Sequence, residues 1–166
     1  MYHSSIAPMR HILKALAAIL KKAEAYCEAR KIDPNALLTD RLYPDMLPLS
    51  RQVQLVTDHA KGCGARLAGI ANPSFPDEEK TFAELQARLG KTLDFLGGFK
   101  PEQFAGAATR AVTIKVGGKD VELKGAAYLS NVALPNFYFH VTTAYNILRH
   151  NGLEIGKGDF LGRNLD

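Results

Sequence analysis

Apolar side chains recur every three or four residues along four long segments of the chain, which is the spacing of one face of an α-helix. The first segment runs from about Ser5 to Arg30, and the second runs from about Leu49 to Gly69. Thr81 and Glu84 form a capping-box pattern that marks the start of the third. The fourth, Leu134 to Gly152, has a proline in its first turn and a glycine at its end. The pattern therefore predicts four long helices.

Between the third and fourth helices the apolar spacing changes from helical to alternating. Ala111 to Val116 and Lys119 to Leu123 alternate, and Gly117 and Gly118 between them suit a tight turn with positive φ angles. This predicts one small β-hairpin. Because an isolated hairpin is marginal in water, some of its apolar side chains must pack against the helices. Residues 126–133 are predicted to lead into the last helix, with a possible kink at Pro135.

The segment from Lys31 to Pro48 contains three X-Pro pairs, so it cannot form one continuous helix. It is predicted to be a crossover loop with a short helical turn at residues 33–38. In the second helix, Gly62 and Gly64 lower helix propensity, and they indicate either a close approach of a neighbour or a kink. Near the C-terminus, Phe160 and Leu161 are predicted to dock the tail onto the helices.

Composition limits the class of protein. With 166 residues, of which 46% are hydrophobic, the chain suits one domain spanning residues 1–166. Basic residues alternate with acidic ones and not with aromatic ones, which argues against nucleic-acid binding despite the net charge of +4. No apolar run reaches the ~20 residues of a membrane span, and no secretory signal is visible, so we expect a cytoplasmic protein. Cys27 and Cys63 are predicted to be small core residues.

Polar side chains line one edge of the fourth helix. Phe137 and Val141 lie on the arc that must face a core, and Asn136, His140 and Thr143 border that arc. A histidine, an amide and a hydroxyl facing an interior form either a metal or substrate site or a hydrogen-bonded polar network. On the second helix, Gln52 and His59 flank the apolar stripe, and the sequence leaves open which of them approaches His140.

Five segments of the chain together resemble a known family, namely residues 43–49, 51–54, 135–145, 148–152 and 156–162. On these segments the chain is similar to the DUF1993-type family of the DinB/YfiT-like superfamily. This resemblance implies an all-α fold, namely a DinB/YfiT-like four-helix bundle with a long crossover and, here, a small β-hairpin between the third and fourth helices. It also implies a homodimer, since members are often dimeric.

The resemblance further implies a metal site, because superfamily members usually hold a divalent ion with three histidines. One of these lies on the second helix, and two lie four residues apart on the last. The matching positions here are Asn136 and His140 on the last helix, with Gln52 or His59 on the second. Asparagine thus stands where a histidine is usual, and an amide oxygen is a weak ligand for a transition metal. The implied ion is zinc, nickel, manganese or iron.

Two functions follow as alternatives. In the first, the protein is a metal-dependent enzyme that acts on a small molecule by thiol transfer or hydrolysis, as characterised superfamily members suggest. In the second, it is a non-catalytic, metal-free helical bundle that binds a small ligand or forms a dimer. The expected partners are a small-molecule substrate and a second copy of the chain, with no nucleic acid and no membrane. No catalytic residue is assigned.

Overall fold

The computed structural model describes residues 1–163, and most of them are helical. The four predicted long helices are confirmed, with ends within three residues of their predicted positions. A capping box at Thr81 and Glu84 starts the third, as predicted. In chain order the helices up to this point are α1 (Tyr2–Arg30), α2 (Pro34–Leu38), α3 (Leu49–Ala68) and α4 (Phe82–Gly97).

The longest helix, α1, lies at the centre of the core. Its apolar stripe is fully buried from Ile6 to Cys27, and the helix packs against both α3 and α4. It ends at Lys31, whose left-handed backbone (φ 58°) lets its N–H bond to the last turn. The crossover that follows contains the short helix α2, capped by the Asp33 carboxylate, which accepts a hydrogen bond from the Asn35 N–H at 2.9 Å. The predicted helical turn in this loop is confirmed.

The predicted hairpin is present as β1 (Ala111–Val116) and β2 (Lys119–Lys124), paired antiparallel. Gly117 and Gly118 form its turn at φ 56° and 81°, where side chains are strained. Of its apolar residues only Val112 is fully buried. The hairpin is therefore buried only near its base, and its turn is exposed.

A continuous helical stretch leads into the last long helix. It comprises α5 (Gly125–Tyr128), a π-helical turn (Leu129–Ala133) and α6 (Leu134–His150). The π turn ends two residues before Pro135, which cannot donate a backbone hydrogen bond, so the predicted irregularity lies on the N-terminal side of the proline. The predicted core arc of α6 is confirmed, because Phe137 and Val141 are buried.

The two glycines of α3 serve close contacts, because the helix runs without a break from Leu49 to Ala68. A Cβ on Gly64 would lie 2.6 Å from the ring of Phe99, so the glycine lets that ring pack directly on the helix backbone. A Cβ on Gly62 would lie 2.4 Å from the guanidinium of Arg66. The predicted close approach of a neighbour is therefore found at Gly64, whereas at Gly62 the nearest atoms belong to Arg66 of the same helix.

A buried arginine ties the loop after α3 to the helices. The side chain of Arg88 is 1% exposed, and its guanidinium contacts the carboxylates of Asp58, Asp77 and Glu79 at 2.8 to 3.0 Å. Its Nε donates to the Thr57 hydroxyl at 2.6 Å. Burial of this charge is compensated by ion pairs and hydrogen bonds on every side. The network fixes Asp58 next to the candidate site on α3.

The C-terminal segment docks on α1, as predicted. Its short helix α7 (Lys157–Phe160) follows α6, and Phe160 meets Tyr145 edge to face. The Leu161 carbonyl lies 2.7 Å from Nε2 of His11. Cys27 and Cys63 are both buried, as predicted. Within residues 1–163, no helix has the length and apolar character needed to cross a membrane.

Candidate functional site

Two histidines meet where α3 packs against α6. The rings of His59 and His140 stack at 5.3 Å between centroids, with their planes only 13° apart. Gln52, two turns before His59 on α3, places its amide oxygen 2.7 Å from Nδ1 of His140. The sequence left open whether Gln52 or His59 approaches His140, and in the structure both do.

The hydrogen bonds of Gln52 determine the tautomer of His140. The Gln52 side-chain Nε2 donates to the Leu47 backbone carbonyl at 2.9 Å, and a carbonyl can only accept. The other amide atom, Oε1, therefore faces His140 and accepts from it. Nδ1 of His140 must carry the hydrogen, which leaves the lone pair on Nε2. Because Gln52 is only 1% exposed, water competes little for either bond.

Both imidazoles are neutral at neutral pH. Burial is the main cause that lowers the pKa of His140 to about 4, and charge repulsion from the nearby His59 and Arg51 contributes to the same shift. Burial also lowers the pKa of His59, an effect that the Asp58 carboxylate partly opposes. A neutral imidazole with one nitrogen protonated can accept a proton or bind a metal through the other nitrogen. The pair therefore has the electronic state that either chemistry needs.

The remaining members of the predicted polar stripe hydrogen-bond within their own helix. Asn136 lies one turn before His140, and its Nδ2 donates to the Val132 carbonyl in the π turn at 2.7 Å. The Thr143 hydroxyl donates to the Phe139 carbonyl at 2.8 Å. For Thr143, a hydrogen-bonded polar network, which was the alternative to a metal or substrate site, accounts for the side chain completely. Asn136 keeps its amide oxygen available for another partner.

The four side chains predicted as metal ligands come together, but they do not surround a common point. The lone pairs of two stacked, nearly parallel imidazoles lie in separate planes, so both cannot be directed at one ion unless a ring rotates. Both amide atoms of Gln52 are already bonded. In the described part of the chain, no three His, Cys, Asp or Glu side chains are grouped as a metal site. As arranged, this set does not fit a transition metal, and metal binding stays a prediction.

A cavity of about 660 Å³ opens beside the histidines. His59 and Asn136 form part of its wall, whereas His140, which stacks on the ring of His59, is not among the residues that line it. The opposite wall is the end of the hairpin, from Ile114 to Gly117. The π turn contributes Val132. Three separate parts of the chain, α3, the hairpin and the stretch leading into α6, thus enclose one space.

The cavity wall also contains functional groups that the sequence did not single out. Lys61, Arg66 and Tyr128 line it with Asp58. One signal was present: Gly62 precedes Arg66 by one helical turn, and a helix glycine at that spacing leaves room for the long side chain to fold back. The hairpin's part in the wall had no local signal, because it depends on how the hairpin sits against α3.

Comparison with known proteins gives the family. The family model described as "Domain of unknown function (DUF1993)" matches residues 1–161. The crystal structure of a DinB family member protein from Shewanella denitrificans is similar, with 44% sequence identity and a TM-score of 0.89. The similarity covers 97% of this chain and 91% of that one. None of the curated proteins matches. The predicted resemblance is confirmed: the chain belongs to the DUF1993 family and has a DinB-like fold.

Proposed function

We propose that this protein binds a small molecule in the cavity between α3, the hairpin and α6, and that binding requires no metal. The cavity itself carries the proposal. Its volume, about 660 Å³, is in the range of small-molecule sites, and its wall combines apolar hairpin residues with a few convergent polar groups. The smaller cavity of about 340 Å³ near Phe75 contains none of the predicted residues, and its Arg88 is fully paired.

The histidine pair supports a role beyond shape. Partial burial lowers the pKa of both His59 and His140, so both rings are neutral beside an open space. Groups with shifted pKa values cluster at functional sites. In this proposal His59 contacts the ligand, His140 holds the His59 ring by stacking on it, and Gln52 holds His140 by a hydrogen bond.

The proposal is tested by screening small-molecule fragments against chelator-treated protein, with ¹H–¹⁵N NMR as the readout. Fragments that bind should shift the resonances of His59, Asn136 and the hairpin turn. Leu55→Trp fills the cavity, because Leu55 lines it from α3, and should abolish these shifts. Thr142→Trp is the matched control, since Thr142 is exposed on α6 away from the cavity. If fragments bind Leu55→Trp as well as wild type, the cavity is not the site.

A second candidate is the metal-dependent enzyme, acting on a small molecule by thiol transfer or hydrolysis. One observation favours it: His140 donates its Nδ1 hydrogen to a carbonyl oxygen, which is how metal-binding histidines are usually oriented. Elemental analysis of protein purified without a chelating tag tests it, with His140→Ala as the comparison. Stoichiometric metal in wild type, lost in His140→Ala, would replace the metal-free proposal with this one.

We also infer that the four long helices form the DinB-type bundle with its long crossover, and that the protein is a homodimer. The contacts of α3 with α4 and α6, and of α1 with α4, support the bundle. Exposed apolar side chains, among them Phe139 and Tyr43, support the dimer, because an interface with a second copy of the chain would cover them. Sedimentation equilibrium tests the dimer, and a concentration-independent monomer mass would contradict it.

A further inference from the structure

Arg66 is a cationic side chain on the cavity wall without a carboxylate partner in residues 1–163. The other two cations on that wall are paired: Lys61 lies 3.0 Å from Asp58, and Lys115 lies 2.9 Å from Asp120. The histidine on the wall is neutral. Because the remaining charges cancel locally, the guanidinium of Arg66 leaves the cavity with one uncompensated positive charge.

The position of this guanidinium is built into the helix. Arg66 folds back along α3 over Gly62, where a Cβ would lie 2.4 Å from its Nη1. A glycine in a helix interior lowers stability by about 1 kcal/mol relative to alanine. The chain nevertheless has glycine at position 62, where the side chain of an alanine would displace the guanidinium. Gly62 thus gives Arg66 a defined place on the wall.

Tyr128 fixes the guanidinium from the other side. Nη1 of Arg66 donates to the Tyr128 hydroxyl at 3.2 Å, and the guanidinium carbon lies 5.8 Å from the ring centre. Because the hydroxyl accepts this bond, its own hydrogen is left to donate to a third group. Tyr128 is 3% exposed, so its position is set by packing. Arg66 and Tyr128 together present adjacent donors to the cavity.

We propose that the ligand of this cavity is a small organic carboxylate, whose oxygens bind Arg66 and Tyr128 and whose apolar body lies against the hairpin. The proposal rests on the proposed function and names its ligand class. The planar guanidinium matches the two oxygens of a carboxylate. Ile114 and Val116 supply the apolar contact on the hairpin side. A single negative charge balances the single unpaired cation, whereas a phosphate dianion would overcompensate it next to the carboxylate of Asp58.

The experiment measures dissociation constants by isothermal titration calorimetry for three probes: benzoate, its neutral isostere benzamide, and inorganic phosphate. Wild type should bind benzoate at least about tenfold more tightly than benzamide. The reason is that a hydrogen bond between two charged groups contributes a free energy that corresponds to about a tenfold change in the dissociation constant. Phosphate should bind more weakly than benzoate. Equal binding of benzoate and benzamide overturns the carboxylate inference while leaving the cavity as a ligand site. Tighter binding of phosphate also overturns it.

Two variants separate the role of Arg66 from a general loss of structure. Arg66→Gln should weaken benzoate binding at least about tenfold and leave benzamide binding unchanged. Gly62→Ala retains every charged group and displaces only the far end of a flexible side chain, so it should fold normally yet also weaken benzoate binding. Gly90→Ala is its matched control, because nothing lies within 4 Å of the added Cβ in α4. Unchanged benzoate binding in Gly62→Ala overturns the proposal. Failure of all three probes to bind wild type overturns it as well, whereas the NMR screen separately decides whether the cavity binds anything.

Discussion

Replacing Gln52 with glutamate should abolish the pH dependence that His140 gives to the stability of the protein between pH 6.5 and 4. In wild type the pKa of His140 is about 4, against 6.5 for an unperturbed histidine. Between these values the unfolded chain binds a proton that the folded chain does not, so the free energy of unfolding falls as the pH falls from 6.5 to 4. At about 1.4 kcal/mol per pH unit the loss is at most about 3 kcal/mol, and because the ring is partly solvated we expect roughly 1 to 2 kcal/mol.

The Gln52→Glu side chain would place a negative charge where the amide oxygen now lies, 2.7 Å from Nδ1 of His140. Two unit charges whose centres are about 4 Å apart interact by about 4 kcal/mol at an effective dielectric constant of 20, which corresponds to a rise of about 3 in the pKa. The pKa of His140 should therefore rise from about 4 to near 7. Below pH 6.5 His140 would then be protonated in both the folded and the unfolded variant. The fall in the free energy of unfolding that His140 causes in wild type between pH 6.5 and 4 should therefore be absent from the variant.

NMR titration of the histidine ring protons measures the pKa directly, and urea unfolding at pH 7.0, 6.0 and 5.0 measures the slope. Gln86→Glu is the matched control: Gln86 also donates its amide to a backbone carbonyl, that of Ala17 at 2.7 Å, but it lies on α4 away from both histidines. It should leave the His140 titration unchanged. A wild-type pKa near 6.5, or the same pKa in Gln52→Glu and wild type, would refute the hydrogen-bond assignment at His140.

Two further substitutions test the packing around the site. Arg88→Met should lower the free energy of unfolding by about 1 to 3 kcal/mol in urea melts, because the half-buried carboxylates of Asp58 and Glu79 lose their buried partner, whereas Lys14→Met at an exposed position should change it by less than about 0.5 kcal/mol. A loss below about 1 kcal/mol for Arg88→Met would show that the network is solvated. Gly64→Ala should cost about 1 to 3 kcal/mol, because its Cβ would meet the ring of Phe99 at 2.6 Å; a stabilised variant, as helix propensity alone would give, contradicts this packing.

Local patterns predicted much of the fold. The capping box at Thr81, the glycine pair at the hairpin turn and the apolar stripe of each long helix depend on interactions within a few residues, and each is confirmed. For the two glycines of α3 the sequence indicated either the close approach of a neighbour or a kink, and the neighbour is found at Gly64. What the sequence could not give was the neighbour in contact, since the ring at Gly64 comes from Phe99 beyond the end of α4.

The candidate site was predicted only in part, because local patterns do not show which distant segments come into contact. Residues that share one helix face, such as Asn136 and His140, follow from the helical repeat. Contacts between helices depend on their relative register, so the bond from His140 to Gln52 and the stack on His59 required the structure. The role of Arg66 was missed because a lone arginine on a helix is ordinarily a solvated surface charge.

A crystal structure of the protein, grown in the presence of a chelator and soaked with the strongest fragment from the NMR screen, tests most directly whether the cavity beside His59 binds a small molecule without a metal. We expect density for the fragment between α3 and the hairpin, in contact with His59 and Arg66. Density at another site, or density in the cavity only when a divalent ion is supplied, would contradict it.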